Sequence, residues 1–324
     1  MRFLITGGAG FIGSHLAEYL LGAGESVVVL DNLSTGRFDN IRHLVGQPSF
    51  SYFIGSVEDP ALLTEAGRQC DAIFHLAAAV GVELIVRDPV GTIETNINGT
   101  EAVLRFAVRY GKRVLVTSSS EVYGKTAKLP FREEDDVTYG ATSRPRWAYA
   151  ISKAVDEFLV RAYVESKGLP GIVARLFNTV GPRQVGHYGM VIPRFVDQAL
   201  RGGPLLVYGD GRQTRCFAHV ADIVAALYEL IRLPQLNAEI VNLGGKERVS
   251  IRHLAERVRD RVNPRLDIQH VPYESVFGAS FEDMRDRDPD LQRARKLIGY
   301  APRYDLNRIL DDVIGDRRRE RQAA

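Results

Sequence analysis

The turn Gly7-Gly-Ala-Gly10-Phe-Ile-Gly13 follows a short apolar run, RFLIT, and opens a stretch of helical period, IGSHLAEYLLGAG. In that setting each glycine has a physical reason. Gly7 permits a tight turn, Gly10 lets backbone approach a pyrophosphate, and Gly13 lets helix and strand pack closely. The amides around Phe11 and Ile12, unpaired at the start of a helix, then face phosphate oxygens. A second apolar run, SVVVLD, ends in Asp31, 18 residues past Gly13 and followed by Asn32. A carboxylate there accepts hydrogen bonds from a ribose and repels a 2′-phosphate, which favours NAD over NADP.

The rest of the chain repeats this β-then-α alternation. FSYFIG, DAIFHLA, RVLVT and GIVARLF are continuous apolar runs rich in Val, Ile, Leu and Phe, separated by longer segments of helical period such as PVGTIETNINGTEAVLRFAVRYG and WAYAISKAVDEFLVRAYVESKG. Strands that are apolar on both faces, joined by helices, predict an α/β fold with a doubly wound parallel sheet of the Rossmann type over residues 1–180. After GPRQ at 181–184 the texture turns to glycine-rich turns and shorter helices. We expect a smaller α+β substrate-binding lobe from 181–217 and 243–324, with a segment at about 218–242 returning to the Rossmann domain. No proline- or serine-rich linker separates them, so a cleft between the lobes is expected.

Several function classes drop out. A formal net charge of +2 favours neither nucleic acid nor an acidic membrane surface, and the basic stretch DRRRERQ at 316–322 is expected on a solvated helix. Cys70 and Cys216 are far apart with no metal-ligand spacing, so neither a disulfide framework nor a metal site is indicated and a reducing cytoplasm fits. FLI before the glycines is too short for a signal-peptide core, and no run reaches the roughly 18 apolar residues of a membrane span.

Chemistry enters with YAISK. Tyr149 and Lys153, at i and i+4, share one face of a helix. An ammonium beside a phenol lowers its pKa below about 10, and a nicotinamide cation adds to the effect, making Tyr149 a base near neutral pH. SSSEVYG at 118–124 supplies a strand-end hydroxyl that can hydrogen-bond the reacting oxygen.

TGGAGFIG, HLAAAV at 75–80, TNINGT at 95–100, SSSEVYG, YAISK and RLFNTVGPRQ together resemble the extended short-chain dehydrogenase/reductase family, in its nucleotide-sugar epimerase, dehydratase and decarboxylase branch. The resemblance implies that Ser119 acts with Tyr149 and Lys153, that Lys153 also holds the cofactor ribose, and that Ala77 and Asn96 stand on the nicotinamide side. One departure is Ser56 after Gly55, where many members carry an acid for the adenine. The resemblance further implies that Asn178, Arg183 and Arg215 grip a nucleotide diphosphate, that Pro193, Val207 and Tyr208 form the bed for a flat base, usually uracil, and that Ser120 flanks the sugar. Arg194 and Arg201 are read as solvated. FGASFEDMRDRD, from 277, resembles a segment shared with uronate-handling members and implies that Arg287 faces substrate. Glu121 has two readings, a clamp for Arg287, which would go with an epimerase, or a neighbour of a substrate carboxylate that shapes its fate.

The implied reaction oxidises a sugar hydroxyl to a transient 4-ketone. The expected enzyme is an isomerase, a 4-epimerase of UDP-glucuronic acid or UDP-glucose, with UDP-glucuronate decarboxylation as the alternative; the strand-end serines resemble 4-epimerases, and RWAYAISK differs from the CYDEGK of dedicated UDP-xylose-forming decarboxylases. A 4,6-dehydratase is demoted because Ser120-Glu121 lacks the Asp of an Asp-Glu pair. A non-catalytic NAD(H) sensor has no need of an intact Ser119, Tyr149 and Lys153 set. A homodimer through helices near 92–110 and 148–167 is also implied.

Overall fold

Burial on both faces makes the apolar runs into strands, except for the half-exposed FSYFI at the sheet edge. The computed structural model describes residues 1–81, 88–186, 190–277, 282 and 284–323. Strands β1 (Arg2–Thr6), β2 (Ser26–Asp31), β3 (Phe50–Ile54), β4 (Ala72–His75), β5 (Arg113–Ser119) and β6 (Gly171–Leu176) are joined by β11 (Glu239–Leu243) in one seven-stranded parallel sheet, in the order β11-β6-β5-β4-β1-β2-β3. Alternate residues of a strand face opposite ways. Phe3 and Ile5 of β1 therefore pack with Leu16 and Leu20 of α1 (Phe11–Gly22) and with Ile223 and Leu227. Leu4 faces the other layer, with Leu63 of α2 (Pro60–Gly67), Val103 and Leu104 of α3 (Pro89–Tyr110) and Val160 of α4 (Ala148–Lys167). This is the doubly wound Rossmann arrangement, and its strand order reverses between β1 and β4, where a crevice opens at the carboxyl ends of the strands.

Helix ends follow their capping residues. Asp59 accepts from the Ala61 and Leu62 amides and Pro60 follows it, while Asp88 before Pro89 accepts from the Gly91 amide. Gly111 and Gly168 close α3 and α4 in the left-handed conformation, with φ of 62° and 66°.

Beyond β7 (Thr179–Val180), the smaller lobe is built on α5 (Val191–Leu200), β8 (Leu205–Tyr208) and β9 (Thr214–Cys216). Strand β10 (Ala218–His219) pairs with β7, and α6 (Val220–Arg232) then packs on α1 and leads into β11. The chain returns to the lobe through β12 (Arg248–Ser250), α7 (Ile251–Val262), β13 (Ile268–Val271), α8 (Tyr273–Phe277) and β14 (Asp286–Arg287); α9 (Gln292–Ile298) then packs back on β11 and α6, so the expected lobe of 243–324 is interrupted there, and α10 (Leu306–Ala323) rejoins the lobe core. Ile192, Phe195, Leu205, Val207, Leu254 and Ile309 are in the lobe core. The basic stretch near the end is not wholly solvated: Arg317 is buried against Asp197, Glu320 and the Gln184 carbonyl, because α10 lies on α5. Among the described residues no helix is long and apolar enough to cross a membrane.

Candidate active site

The strand order opens a cleft of about 480 Å3 between sheet and lobe, lined from Gly7 and Asp31 at one end to Tyr208 and Arg215 at the other. At the sheet end, Gly7 has φ +72°, and a Cβ on it would lie 2.7 Å from the Ala77 amide nitrogen. A Cβ on Gly13 would lie 2.2 Å from the Gly7 carbonyl oxygen. The turn, the end of β4 and the start of α1 can meet this closely only without those side chains. Gly10 caps α1 with no side-chain hydrogen bond, which leaves the amides of the first turn directed at the cleft. Asp31 accepts from the Ala9 amide at 2.9 Å and the Leu33 amide at 2.8 Å, and is 7% exposed. Burial pushes its carboxyl up from the ordinary range, and those backbone donors draw it partly back. A Cβ on Gly36 would come within 3.0 Å of both Asp31 oxygens, so this glycine, which the motif does not contain, keeps the carboxylate approachable. Asn32, Ser34, Thr35, Gly55 and Ser56 complete that end. An uncapped helix start, a cradle that any Cβ would fill and a fixed ribose-facing carboxylate fit NAD.

Of the residues implied for the nicotinamide side, Ala77 lines the cleft and Asn96 does not. Asn96 is buried on α3, where its Oδ1 accepts from the Ala79 amide at 2.8 Å and its Nδ2 donates to Ser152 Oγ at 3.0 Å. It holds the loop that lines the cleft rather than lining it. His75 is similarly set behind the wall between Thr6 and Thr100, and burial, with Lys153 nearby, lowers its pKa to about 3 and keeps it neutral.

The three serines at the end of β5 separate by direction. Ser118 donates to Glu157 Oε1 at 2.5 Å, and Glu157 in turn pairs with Arg175 through contacts of 2.9 and 2.7 Å. Ser119 accepts from the Glu121 amide, and its hydroxyl draws the Tyr149 phenol pKa down. Ser120 is 1% exposed and its edge lines the cleft. Tyr149 and Lys153 of α4 reach the same floor. The expectation of a lowered phenol pKa is corrected for the protein without cofactor: burial first, then the carboxylates of Glu121 and Asp156, push Tyr149 up, against the Ser119 hydrogen bond and Arg287. Burial is the leading cause, and the Lys153 ammonium expected to oppose it is paired with Asp156 Oδ2 at 2.7 Å.

Glu121 meets two guanidiniums. Arg287 Nη2 lies 2.5 Å from Oε1 and Arg146 Nη2 lies 2.6 Å from Oε2. Burial opposes the charge of Glu121, but Arg146 and then Arg287 outweigh it and hold its pKa at about 2. Arg287 also lines the cleft, so the clamp reading describes the observed contact. Arg146 opens the RWAYAISK stretch, where the motif readings give it no role. Its sequence signal is its position three residues before Tyr149, where the start of a helix brings it to the same face. Residues 278–281 and 283 of the segment before Arg287 lie outside the described residues.

On the lobe side, Asn178, Arg183, Pro193, Tyr208 and Arg215 line the cleft. Asn178 Nδ2 donates to the Cys216 carbonyl at 3.1 Å, and Arg215 Nη1 donates to the Thr214 and Arg285 carbonyls at 2.8 and 3.0 Å. Arg183, with φ +67°, has its amide held by Asp316, and its guanidinium reaches Ser14 Oγ at 3.2 Å and Glu18 on α1, so it points to the cofactor side. Val207 is corrected: alternation along β8 sends it into the lobe core, fully buried, while Tyr208 faces the cleft. Arg194 is corrected too. It lines the cleft with its guanidinium 3.8 Å from the centroid of the Tyr208 ring, because α5 turns that face inward; Arg201, one helix turn past Asp197, is exposed.

Residues 3–244 match the model of the NAD dependent epimerase/dehydratase family. A UDP-N-acetyl-alpha-D-glucosaminuronate decarboxylase of Bacillus cytotoxicus is 41% identical over 97% of this chain and 96% of its own length. UDP-glucuronic acid decarboxylase 1 of Arabidopsis thaliana is 36% identical over 98% of this chain and 69% of its own. Among solved structures, a UDP-glucose 4-epimerase of Thermotoga maritima with UDP-glucose superimposes with a TM-score of 0.88 at 27% identity, covering 99% of each chain. The expectation of an isomerase is overturned by these relatives: the similar sequences over the full chain are decarboxylases, which are lyases, and epimerases enter as more distant structures. That expectation leaned on the strand-end serines and the RWAYAISK spelling.

Proposed function

The chain belongs to the NAD dependent epimerase/dehydratase family, and from that premise we propose that it decarboxylates a UDP-linked hexuronic acid. The carrying observation is Arg287, fixed by Glu121 in the cleft floor near Tyr149. A uronic acid differs from a hexose by one anionic group, and a guanidinium held in place is suited to receive it. The decarboxylase names of the relatives support the same reading and set two candidate substrates, UDP-glucuronic acid and its 2-acetamido counterpart.

NAD, when bound over the Gly7 to Gly13 turn and Asp31, supplies the hydride acceptor and donor for the sugar carbon at C4. Tyr149 takes the proton of the C4 hydroxyl at its phenolic oxygen and later returns it, while Ser119 steadies that oxygen by its hydrogen bond. Lys153 supplies fixed positive charge beneath. With C4 at the ketone level, the uronate is a β-keto acid. The bond from C5 to the carboxyl carbon breaks, CO2 leaves, the electron pair passes to the C4 oxygen, and C5 then takes up a proton. Arg194 over Tyr208, with Pro193, forms the proposed bed for the base, and Arg215 binds the diphosphate.

The test is incubation with NAD and each UDP-uronic acid, with CO2 measured and the sugar nucleotide analysed by NMR. A UDP-pentose, or its 2-acetamido form, with one CO2 per turnover is expected. A product of unchanged mass would refute the proposal.

We further propose a homodimer, supported by apolar side chains left exposed on α3 and α4: Val90 at 63%, Ile93 at 39% and Phe158 at 73%.

A further inference from the structure

Asp156 is the acidic group behind the proposed catalytic pair. It follows Tyr149 by seven residues and Lys153 by three, so all three lie along one side of α4. Its side chain has 0% exposure and that of Lys153 has 3%, with Nζ and Oδ2 separated by 2.7 Å. The second oxygen, Oδ1, is buried with the Thr100 hydroxyl beside it but makes no hydrogen bond of ordinary geometry. A buried ion pair with one oxygen left unsatisfied is a poor way to gain stability, since apolar residues of similar size commonly do as well or better. The other acid on this turn, Glu157, is already committed to Arg175 and Ser118.

We propose that Asp156 is a positioning residue that holds the Lys153 ammonium from behind and sets how strongly its positive charge acts on the Tyr149 hydroxyl. This rests on the reading of Tyr149 as the proton-transfer group. The charged and polar groups around the pair are few and placed. Thr100 of α3 stands beside Asp156, and its hydroxyl lies 3.2 Å from His75 Nε2 on β4. His75 is neutral, so it neither competes for Asp156 nor repels Lys153. Glu121 and Arg287 act on Tyr149 from the opposite side with opposite signs, and the Ser119 hydroxyl draws its pKa down. Asp156 and Lys153 form the remaining charge pair. The carboxylate offsets part of the ammonium's field at the phenol and adds to the burial and the Glu121 charge that hold Tyr149 protonated, so its ionisation waits on further positive charge such as that of NAD in the cleft.

Replacing Asp156 by Asn removes the charge and keeps the shape. In the NAD-loaded protein, titration of Tyr149, read as tyrosinate ultraviolet absorbance against a Tyr149→Phe reference, should move to lower pH by about one unit. The acid limb of kcat/KM should move the same way. Asp156→Glu, which restores the charge, should return the titration toward the wild-type position. A lowered Tm with an unmoved titration would overturn the proposal by making Asp156 merely structural, as would equal shifts for Asn and Glu. If Asp156→Asn does not fold, Asp156→Ser carries the same expectation. The titration needs no turnover and so reads Asp156 separately from the decarboxylase proposal, whose base is tested by loss of turnover in Tyr149→Phe with NAD still bound.

Discussion

Glu121 shows what a residue's surroundings add to its letter. A carboxylate after a run of serines can be read as a substrate neighbour or as a clamp. The choice is made by Arg146 and Arg287, one near in sequence and one 166 positions away. Because its folded pKa of about 2 lies below its ordinary value of 4.5, the stability it contributes is fully present above pH 4.5 and is lost as pH falls toward 2. Urea midpoints measured from pH 6 downward should therefore show the wild type losing its advantage over Glu121→Gln across that window. A gap that stays constant to pH 3 would contradict the clamp. That Ser119, Tyr149 and Lys153 would meet at one cleft was legible because each is placed by a local pattern at the end of a strand or along one turn of helix. Val207 and Arg194 were misread because which face of a short strand or helix turns inward is decided by a partner layer that is distant in sequence.

At the scale of elements, the β1 turn and α1 were legible down to single glycines, since a chain reversal this close leaves no room for alternatives. The Gly13→Ala substitution tests it: a Cβ 2.2 Å from a backbone carbonyl cannot be relieved by a side-chain rotation. The variant should lose retained NAD and melt several degrees lower, consistent with a cost of about 1–3 kcal/mol. Retention of NAD at the wild-type level would show that α1 can shift away from β1 without harm. The inner strands of the sheet were equally plain, because strands covered by helices on both sides read as near-continuous apolar runs, as in the VVVL of SVVVLD. The lobe was not, since its strands run to as few as two residues, such as Asp286–Arg287, and carry no period of their own.

At the scale of the molecule, the two helices beside the cleft also present outward faces. If two copies meet there, Phe158→Glu should halve the mass seen by light scattering while leaving the cofactor site intact. A wild-type protein that is already monomeric would remove the dimer from the account. The two ends of the chain are tied at one place. Asp316 and Arg317, on the last helix, hold the amide of Arg183 and the carbonyl of Gln184, and Arg183 reaches Glu18 on the first. That tie makes the last helix a strut for the cofactor side of the cleft: whatever lifts residues 306–323 also frees the Arg183–Gln184 loop that leans on α1.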